Sequence, residues 1–187
     1  MKIRENEPSF DVSRHRSKKE LTDCFSESKE PRSGCIKLIV QRQADGSRQT
    51  PREAMLCEED GLIGDRWAHD PKRKRVEQIA IMDWRIASVI ANEQSLTLFG
   101  DNVFLDWDIG VFTIGQRFLL GEAILEVTTE PHNGCAKFAM RFGAPALKWT
   151  CQNREEKRRG IYAYVIQRGK VQVGDTLKMM NLSRRKP

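Results

Sequence analysis

The chain has 187 residues, of which 39% are hydrophobic and 31% charged, and its net charge is +6. No apolar run approaches the ~20 residues that a membrane span needs, and no apolar core follows the amino terminus, so we expect a cytoplasmic chain without a signal peptide or membrane segment. The positive charge suits anionic ligands, but aromatic residues make up only 7% and form no stacking pattern, which argues against a platform for single-stranded nucleic acid.

The first 33 residues differ in composition from the rest of the chain. The stretch "SRHRSKKELTDCFSESKE" is densely charged, with a weak amphipathic pattern at Leu21, Cys24 and Phe25. This pattern predicts a surface helix over residues 13–27. We interpret residues 1–33 as a helical arm or extension, either docked on the domain or partly disordered.

From Cys35 onward the apolar residues alternate, which is typical of strands. In "CIKLIVQRQ" the alternation places Ile36, Leu38 and Val40 on one face. The one long helical pattern is "DWRIASVIANEQ", for which Asp83 is the expected N-cap.

The second half of the chain is again rich in short strand patterns. "GQRFLLGEAILEVT" predicts two strands around a turn at Gly121, and "GIYAYVI", "GKVQV" and "DTLKMM" predict three more. Many short strands with few helices predict a mainly β fold with peripheral helices, whose mostly antiparallel sheet is closed or strongly bent. We expect this domain to span residues 34–182, followed by a basic tail at 183–187.

The five cysteines are an odd number and include no CxxC pair, so we expect free thiols and no structural zinc site. Cys135 is the one that raises a functional question, in the stretch "TTEPHNGCAKFAMRFGAP". It could be a small core residue beside Phe138 and Phe142, since free cysteine is often buried. It could also be a reactive thiol at the start of a helix, where unpaired N–H groups and nearby cations favour the thiolate. The residues alone leave both readings open.

A second candidate site is the loop "GLIGDRW". Two glycines let the backbone approach a ligand closely, and Arg66 beside Trp67 could bind an anion and cover a ring. Such a loop is more often a simple turn. The run "KRKR" at 72–75 is best explained as a solvated charged loop.

Taken in order, four stretches of the chain resemble a MOSC domain, the module found at the carboxyl end of molybdenum cofactor sulfurases and in bacterial proteins. They are "GLIGDRW", "GDNVFLDWDI", "IGQRFLLGEAILEVTTEPHNGCAKF" and "RGIYAYVIQRGKVQVGDTLKM". The similarity extends over residues 35–179.

The resemblance implies a β-rich, barrel-like fold and a hallmark cysteine, here Cys135, that carries sulfur as a persulfide or binds molybdenum as its protein ligand. It also implies that the segment Asp65, Arg66 and Trp67 lies near a molybdopterin cofactor, with Asn102 on the pterin side. Cofactor-binding relatives commonly have an arginine where Gly100 stands here, so one cationic contact is missing. A sulfurase domain is not recognisable in the sequence, and we expect no pyridoxal phosphate site in this chain.

These observations lead to a first hypothesis: a sulfur species, molybdenum cofactor or both bind through Cys135, for sulfur transfer or for reduction of N-oxygenated compounds. Cations near the thiol would favour its thiolate, and basic side chains would bind the phosphate of a pterin. The residues expected in these two roles are His132, Lys137, Arg66, Arg141 and Arg159. A sulfur donor protein is a further expected partner.

The alternative is a non-catalytic domain that uses a basic groove to bind a cofactor or a protein, and it predicts a buried thiol. A nucleic-acid binder is the least favoured, because the basic residues are scattered along the chain.

Overall fold

The computed structural model describes residues 6–27, 31–152 and 155–180. The predicted basic tail and the predicted end of the domain at residue 182 lie outside these ranges. The strands are β1 Ile36–Ile39, β2 Gln41–Arg42, β3 Arg48–Gln49, β4 Glu53–Cys57, β5 Gly61–Leu62, β6 Ile79–Asp83, β7 Val103–Leu105, β8 Arg117–Leu120, β9 Ala123–Val127, β10 Ile161–Gln167, β11 Gly169–Gln172 and β12 Leu177–Met179. The α-helices are α1 Lys18–Glu27, α2 Trp84–Ala91, α3 Ala136–Phe142 and α4 Ala144–Cys151.

Seven of the strands in the described ranges form one sheet that closes on itself. Their order is β1-β7-β6-β10-β9-β8-β12. An antiparallel bridge between Cys35 and Thr176 joins the first strand to the last, and the Ile36 amide donates to Asp175 O at 2.9 Å beside it. All pairs are antiparallel except β6 with β7, which the helix α2 connects. The mainly β, barrel-like fold with peripheral helices is therefore confirmed.

The sheet separates two apolar cores. The first fills the barrel and includes Ile79, Ile81 and Phe118, whereas the second lies between the outer face of the sheet and the helices and includes Met82 and Trp149. Every residue of β6 is buried, because its alternate side chains enter the two cores.

The expected alternation of β1 is wrong in one respect. Ile36 lies in the barrel core, but Leu38 and Val40 pack into the outer core, and Ile39 takes the barrel side. The cause is a register shift against β7 between Ile36 and Leu38, a β-bulge that reverses which residues face inward.

Helix α2 begins as the sequence predicts and ends earlier. Asp83 is its N-cap, and the Asp83 carboxylate accepts hydrogen bonds from the amides of Arg85 and Ile86. The helix stops at Ala91 instead of residue 94, because Asn92 adopts a left-handed conformation with φ +48°.

Helix α1 starts at Lys18, later than the predicted residue 13, because Ser17 and Glu20 form a reciprocal capping box. The arm is docked: Leu21 is 0% exposed in the outer core, and the ring of Phe25 packs edge-on against Trp149. None of the helices in the described ranges has the length and hydropathy of a membrane span.

Candidate ligand-binding site

A cavity of about 200 Å³ opens where the hairpin β2–β3, the loop after β5, the start of α3 and the residues just before β10 converge. Six basic side chains line it: Arg42, Arg48, Arg66, Lys137, Arg141 and Arg159. Cys135 and His132 also belong to its wall. Arg66 and Cys135 thus share one cavity although 69 positions separate them in the chain.

Cys135 is exposed, so the reading of this residue as part of the core is wrong. It is the N-cap of α3, and its side chain accepts no capping hydrogen bond. The apolar side of α3 is carried instead by Phe138 and Phe142, which are 2% and 1% exposed. Gly134 packs closely on α4, since a Cβ there would lie 2.2 Å from Leu147 Cδ1 and the Leu147 side chain would have to move. Helix α3 has only seven residues, and the basic side chains of the cavity share a wall with the thiol.

Three carboxylates pair with four of the six basic side chains. Asp65 accepts from Arg42 and Asp101 from Arg159, in both cases at 2.8 Å. The carboxylate of Glu7, from the amino-terminal arm, accepts from Lys137 at 2.5 Å and from Arg141 at 2.6 Å. Lys137 and Arg141 thus pair with an anionic group that belongs to the same chain.

Unsatisfied donors remain in the same wall. The Nε of Arg48, the Nη1 of Arg66 and the Nε of Arg159 are buried and have no hydrogen-bond partner among the described residues. Burial and the positive charges of Arg141 and Arg42 lower the pKa of Arg48 to about 10. Buried guanidinium nitrogens without partners are costly, and an anionic group in the cavity would satisfy them.

Arg42 and Arg48 are two cavity residues that the sequence analysis missed. They stand directly opposite each other in the β2–β3 pair, where like charges repel unless an anion lies between or beside them. The Nη1 of Arg42 also donates to Gly100 O at 3.0 Å, so a guanidinium from another strand lies next to the position where cofactor-binding relatives have an arginine. Two arginines flanking the turn in "QRQADGSRQ" are the sequence signal for this pair.

His132 forms a buried network with Asp101 and Tyr162. Its Nε2 lies 2.9 Å from Asp101 Oδ1, and its ring stacks on that of Tyr162 with centroids 4.1 Å apart. Burial and the charge of Arg159 lower the pKa of His132 and favour the neutral ring. A neutral ring that donates to Asp101 carries its proton on Nε2. The buried Nδ1 has no partner among the described residues and is left as a free acceptor.

Asp65, Trp67 and Asn102, which the resemblance associates with the cofactor, lie outside the residues that line the cavity. Asp65 and Asn102 are 1% and 0% exposed. The Asn102 amide group donates to Asp65 Oδ2 at 3.1 Å and its Oδ1 accepts from the Ala80 amide at 3.1 Å. The bond from Asn102 holds Asp65 in the position from which Asp65 orients Arg42. Asn102 and Asp65 therefore support the cavity wall from behind.

A second cavity of about 400 Å³ adjoins the first. The two share a wall that contains His132, Arg159 and Tyr162. Apolar side chains such as Val127 and Ile161 line the second cavity together with threonines and the exposed Cys151. Within the described ranges no group of three or more His, Cys, Asp and Glu side chains is placed to hold a metal ion.

Comparison with known proteins bears on this site. A family model described as "MOSC domain" matches residues 80–178. Among solved structures, the YuaD protein of Bacillus subtilis is similar with a TM-score of 0.59 and 16% identity, over 76% of this chain and 93% of that one. YiiM of Escherichia coli is similar with a TM-score of 0.54 and 21% identity, over 79% of this chain and 70% of that one. YiiM of Geobacillus stearothermophilus is similar with a TM-score of 0.55 and 17% identity, over 81% of this chain and 76% of that one. These likenesses concern the fold, and no curated protein matches the chain.

Proposed function

Because this chain belongs to the MOSC domain family, we propose that its basic cavity binds a small anionic ligand and that Cys135 makes the bond to the ligand's reactive centre. The ligand that fits best is molybdenum cofactor, with a persulfide sulfur on Cys135 as the other form of the same chemistry. The observation that carries this proposal is one cavity with an exposed thiol at its wall and three buried, unpartnered guanidinium nitrogens.

The residues present suit such a cofactor. A pterin phosphate would take the unpartnered donors of Arg48, Arg66 and Arg159, since guanidinium groups bind phosphate in fixed geometry. Cys135 would be the protein ligand of the metal, because a thiolate is a soft ligand. When bound, molybdenum supplies two-electron chemistry suited to sulfur transfer or to the reduction of N-oxygenated compounds.

The chain's own groups have roles that do not depend on that metal. Cys135 lies in the same wall as six basic side chains, and the thiolate form of its side chain is the nucleophile. That thiolate can attack the outer sulfur of a donor persulfide and form a new S–S bond at Sγ. The donor's S–S bond breaks and its inner sulfur leaves as a thiolate, so the sulfur is transferred without any further oxidant. The neutral His132 can accept one hydrogen bond at Nδ1. The second, more apolar cavity beside His132 is our candidate position for the uncharged part of a substrate.

The alternative of a non-catalytic binding domain predicts a buried thiol. The exposure of Cys135 favours a chemical role for it instead.

The test is metal and pterin analysis of the protein purified from a host that makes molybdenum cofactor. We expect molybdenum and pterin to co-purify with the unmutated chain and with Cys24→Ser, whose thiol lies on α1 outside the cavity. Cys135→Ser should lose the metal, and Arg66→Gln should lower the pterin content of the purified protein. Equal, background-level molybdenum and pterin in all four proteins, with no persulfide on Cys135, would contradict the proposal.

A further inference from the structure

Lys137 and Arg141 form a clamp on one side of the cavity that already holds an acidic group. Both donate to the carboxylate of Glu7, at 2.5 and 2.6 Å, and the Glu7 side chain is only 3% exposed. The contact joins positions 130 and 134 residues apart, so it is a tertiary contact and not a feature of local helix geometry. Among the cavity's basic residues, these two are thus satisfied by a group from the arm.

The segment that carries Glu7 has few other polar attachments of its own. Asn6 donates to Asp45 at 3.1 Å at an exposed site on the β2–β3 turn. The ring of Phe10 is only partly buried against the outer core. Firm anchoring begins at Asp11, whose amide donates to Gln94 at 2.7 Å. Displacement of Glu7 would therefore break its two ion pairs and, among the contacts of the described residues, only the exposed bond of Asn6 and the partial contact of Phe10, while the attachments from Asp11 onward remain.

The clamp and the unpartnered nitrogens of Arg48, Arg66 and Arg159 require anions for the same physical reason. Arg48 lies near Arg141, and their mutual repulsion is relieved by the negative charge of Glu7. A carboxylate and a phosphate present the same kind of acceptor oxygens to an ammonium or guanidinium group. Lys137 and Arg141 donate to the carboxylate of Glu7, and they can donate in the same way to an acidic group of a ligand.

We propose that the clamp is a second anion position of the ligand site, and that a carboxylate or phosphate group of the ligand takes it by displacing Glu7. The inference rests on the proposed function, because it assumes that the cavity receives an anionic ligand. Glu7 then acts as a competitor: the first acidic group of a ligand binds at the arginine nitrogens that have no partner, and a second acidic group reaches the clamp by displacing Glu7. The ligand class that uses both positions is a small molecule with two acidic groups.

The test measures pyrophosphate binding by calorimetry to the full-length chain, to Glu7→Gln and to Asp23→Asn. Asp23 is on α1 and pairs with Lys19, so its substitution makes the same change in net charge away from the cavity. We expect Glu7→Gln to bind pyrophosphate roughly tenfold more tightly, since the competing state is removed, and Asp23→Asn to bind like the unmutated chain. Hydrogen exchange of residues 6–10 in the unmutated chain should increase at saturating pyrophosphate.

The outcomes separate this inference from the proposed function. Binding to the unmutated chain that is unchanged or weaker in Glu7→Gln overturns the clamp and leaves the anion-binding cavity standing. Absence of pyrophosphate binding in all three proteins contradicts the cavity itself and the clamp with it. The exchange measurement needs no substitution, so unaltered exchange at residues 6–10 on saturation overturns the displacement even where a variant folds poorly.

Discussion

The thiol of Cys135 differs from the other four in its surroundings. Cys57 is buried, Cys24 and Cys35 are half-buried, and Cys151 is exposed at the end of α4. We predict that Cys135 is alkylated fastest, because it alone is exposed and lines the basic cavity.

Brief iodoacetamide treatment at pH 6.5, followed by peptide mapping, measures the relative rates for all five thiols in one sample. Cys151 is the internal control, since it matches Cys135 in exposure and lines the less basic cavity. Faster modification of Cys151 would mean that exposure alone governs reactivity and that the basic wall has no effect on Cys135.

A buried carboxylate links the stability of the site to pH. Burial alone would raise the pKa of Asp101, but the charge of Arg159 and the hydrogen bonds from His132 and Arg159 outweigh it and lower the pKa to about 2. Because the folded-state pKa is below the unfolded value, Asp101 stabilises the fold above about pH 4 and loses this contribution as the pH falls toward 2. Asp101→Asn should cost roughly 3–5 kcal/mol at pH 7, since Arg159 keeps a buried charge without its partner.

Urea unfolding at pH 7 and pH 3 checks both statements. The stability gap between the unmutated chain and Asp101→Asn should be about 1 kcal/mol smaller at pH 3, where the unfolded Asp101 is largely protonated. A gap of the same size at the two pH values would show that Asp101 does not titrate as its surroundings require.

Contiguity in the sequence decides which site residues can be predicted. Cys135, Lys137 and Arg141 are predictable because they belong to one short segment whose spacing is visible. Arg48 and Glu7 reach the cavity through tertiary contacts of a two-residue strand and of the arm, and no local pattern marks such contacts. The role of Asp101 can be recognised only from the structure, where it pairs with Arg159 and His132.

At the scale of single elements, α1 contributes more than its charged sequence suggests. Leu21 is fully buried, and Thr22 Oγ1 accepts a hydrogen bond from Trp149 Nε1 at 3.1 Å. We predict that Leu21→Ala lowers the free energy of unfolding by about 2–5 kcal/mol, the range typical of a leucine removed from a packed core.

Lys19→Ala is the matched control on the same helix, because the Lys19 side chain is 86% exposed and its pair with Asp23 is a surface ion pair. It should change stability by less than about 0.5 kcal/mol. Chemical denaturation of the two variants compares them directly, and equal, small effects would mean that α1 docks without contributing to the core.

Periodicity predicts a strand or helix well where one side of the segment faces the core and the other side faces solvent. The strands β8 and β9 and the N-cap of α2 follow from local rules, as does the turn at Gly121 between β8 and β9. The bulge in β1 does not, because Ile36, Leu38 and Ile39 are all apolar and only the pairing with β7 decides which core each one enters.

For the whole molecule, closure of the sheet removes the free edges that β1 and β12 would otherwise present. The bridge from Cys35 to Thr176 makes each edge strand the partner of the other. Strands β11, β4 and β5 form a separate three-stranded sheet, and two glycines allow it to pack against this barrel. A Cβ on Gly169 would lie 2.3 Å from the backbone carbon of Glu122, and one on Gly121 would lie 2.5 Å from Lys170 O. The β8–β9 turn and β11 therefore contact each other through their backbones. Local sequence patterns cannot predict this contact, because the two segments are far apart in the chain.

The complete burial of β6 has a consequence for how the chain reaches this fold. β6, α2 and β7 follow one another along the chain, and together they supply side chains to both cores through contacts that are local in sequence. Closure by β12 and docking of the arm join segments far apart in sequence, and the entropy of closing those loops delays them. Nucleation is thus expected at β6–α2–β7, with the ligand cavity assembled last, because its walls come from the hairpin β2–β3 and from α3, and the arm then pairs with α3 through Glu7.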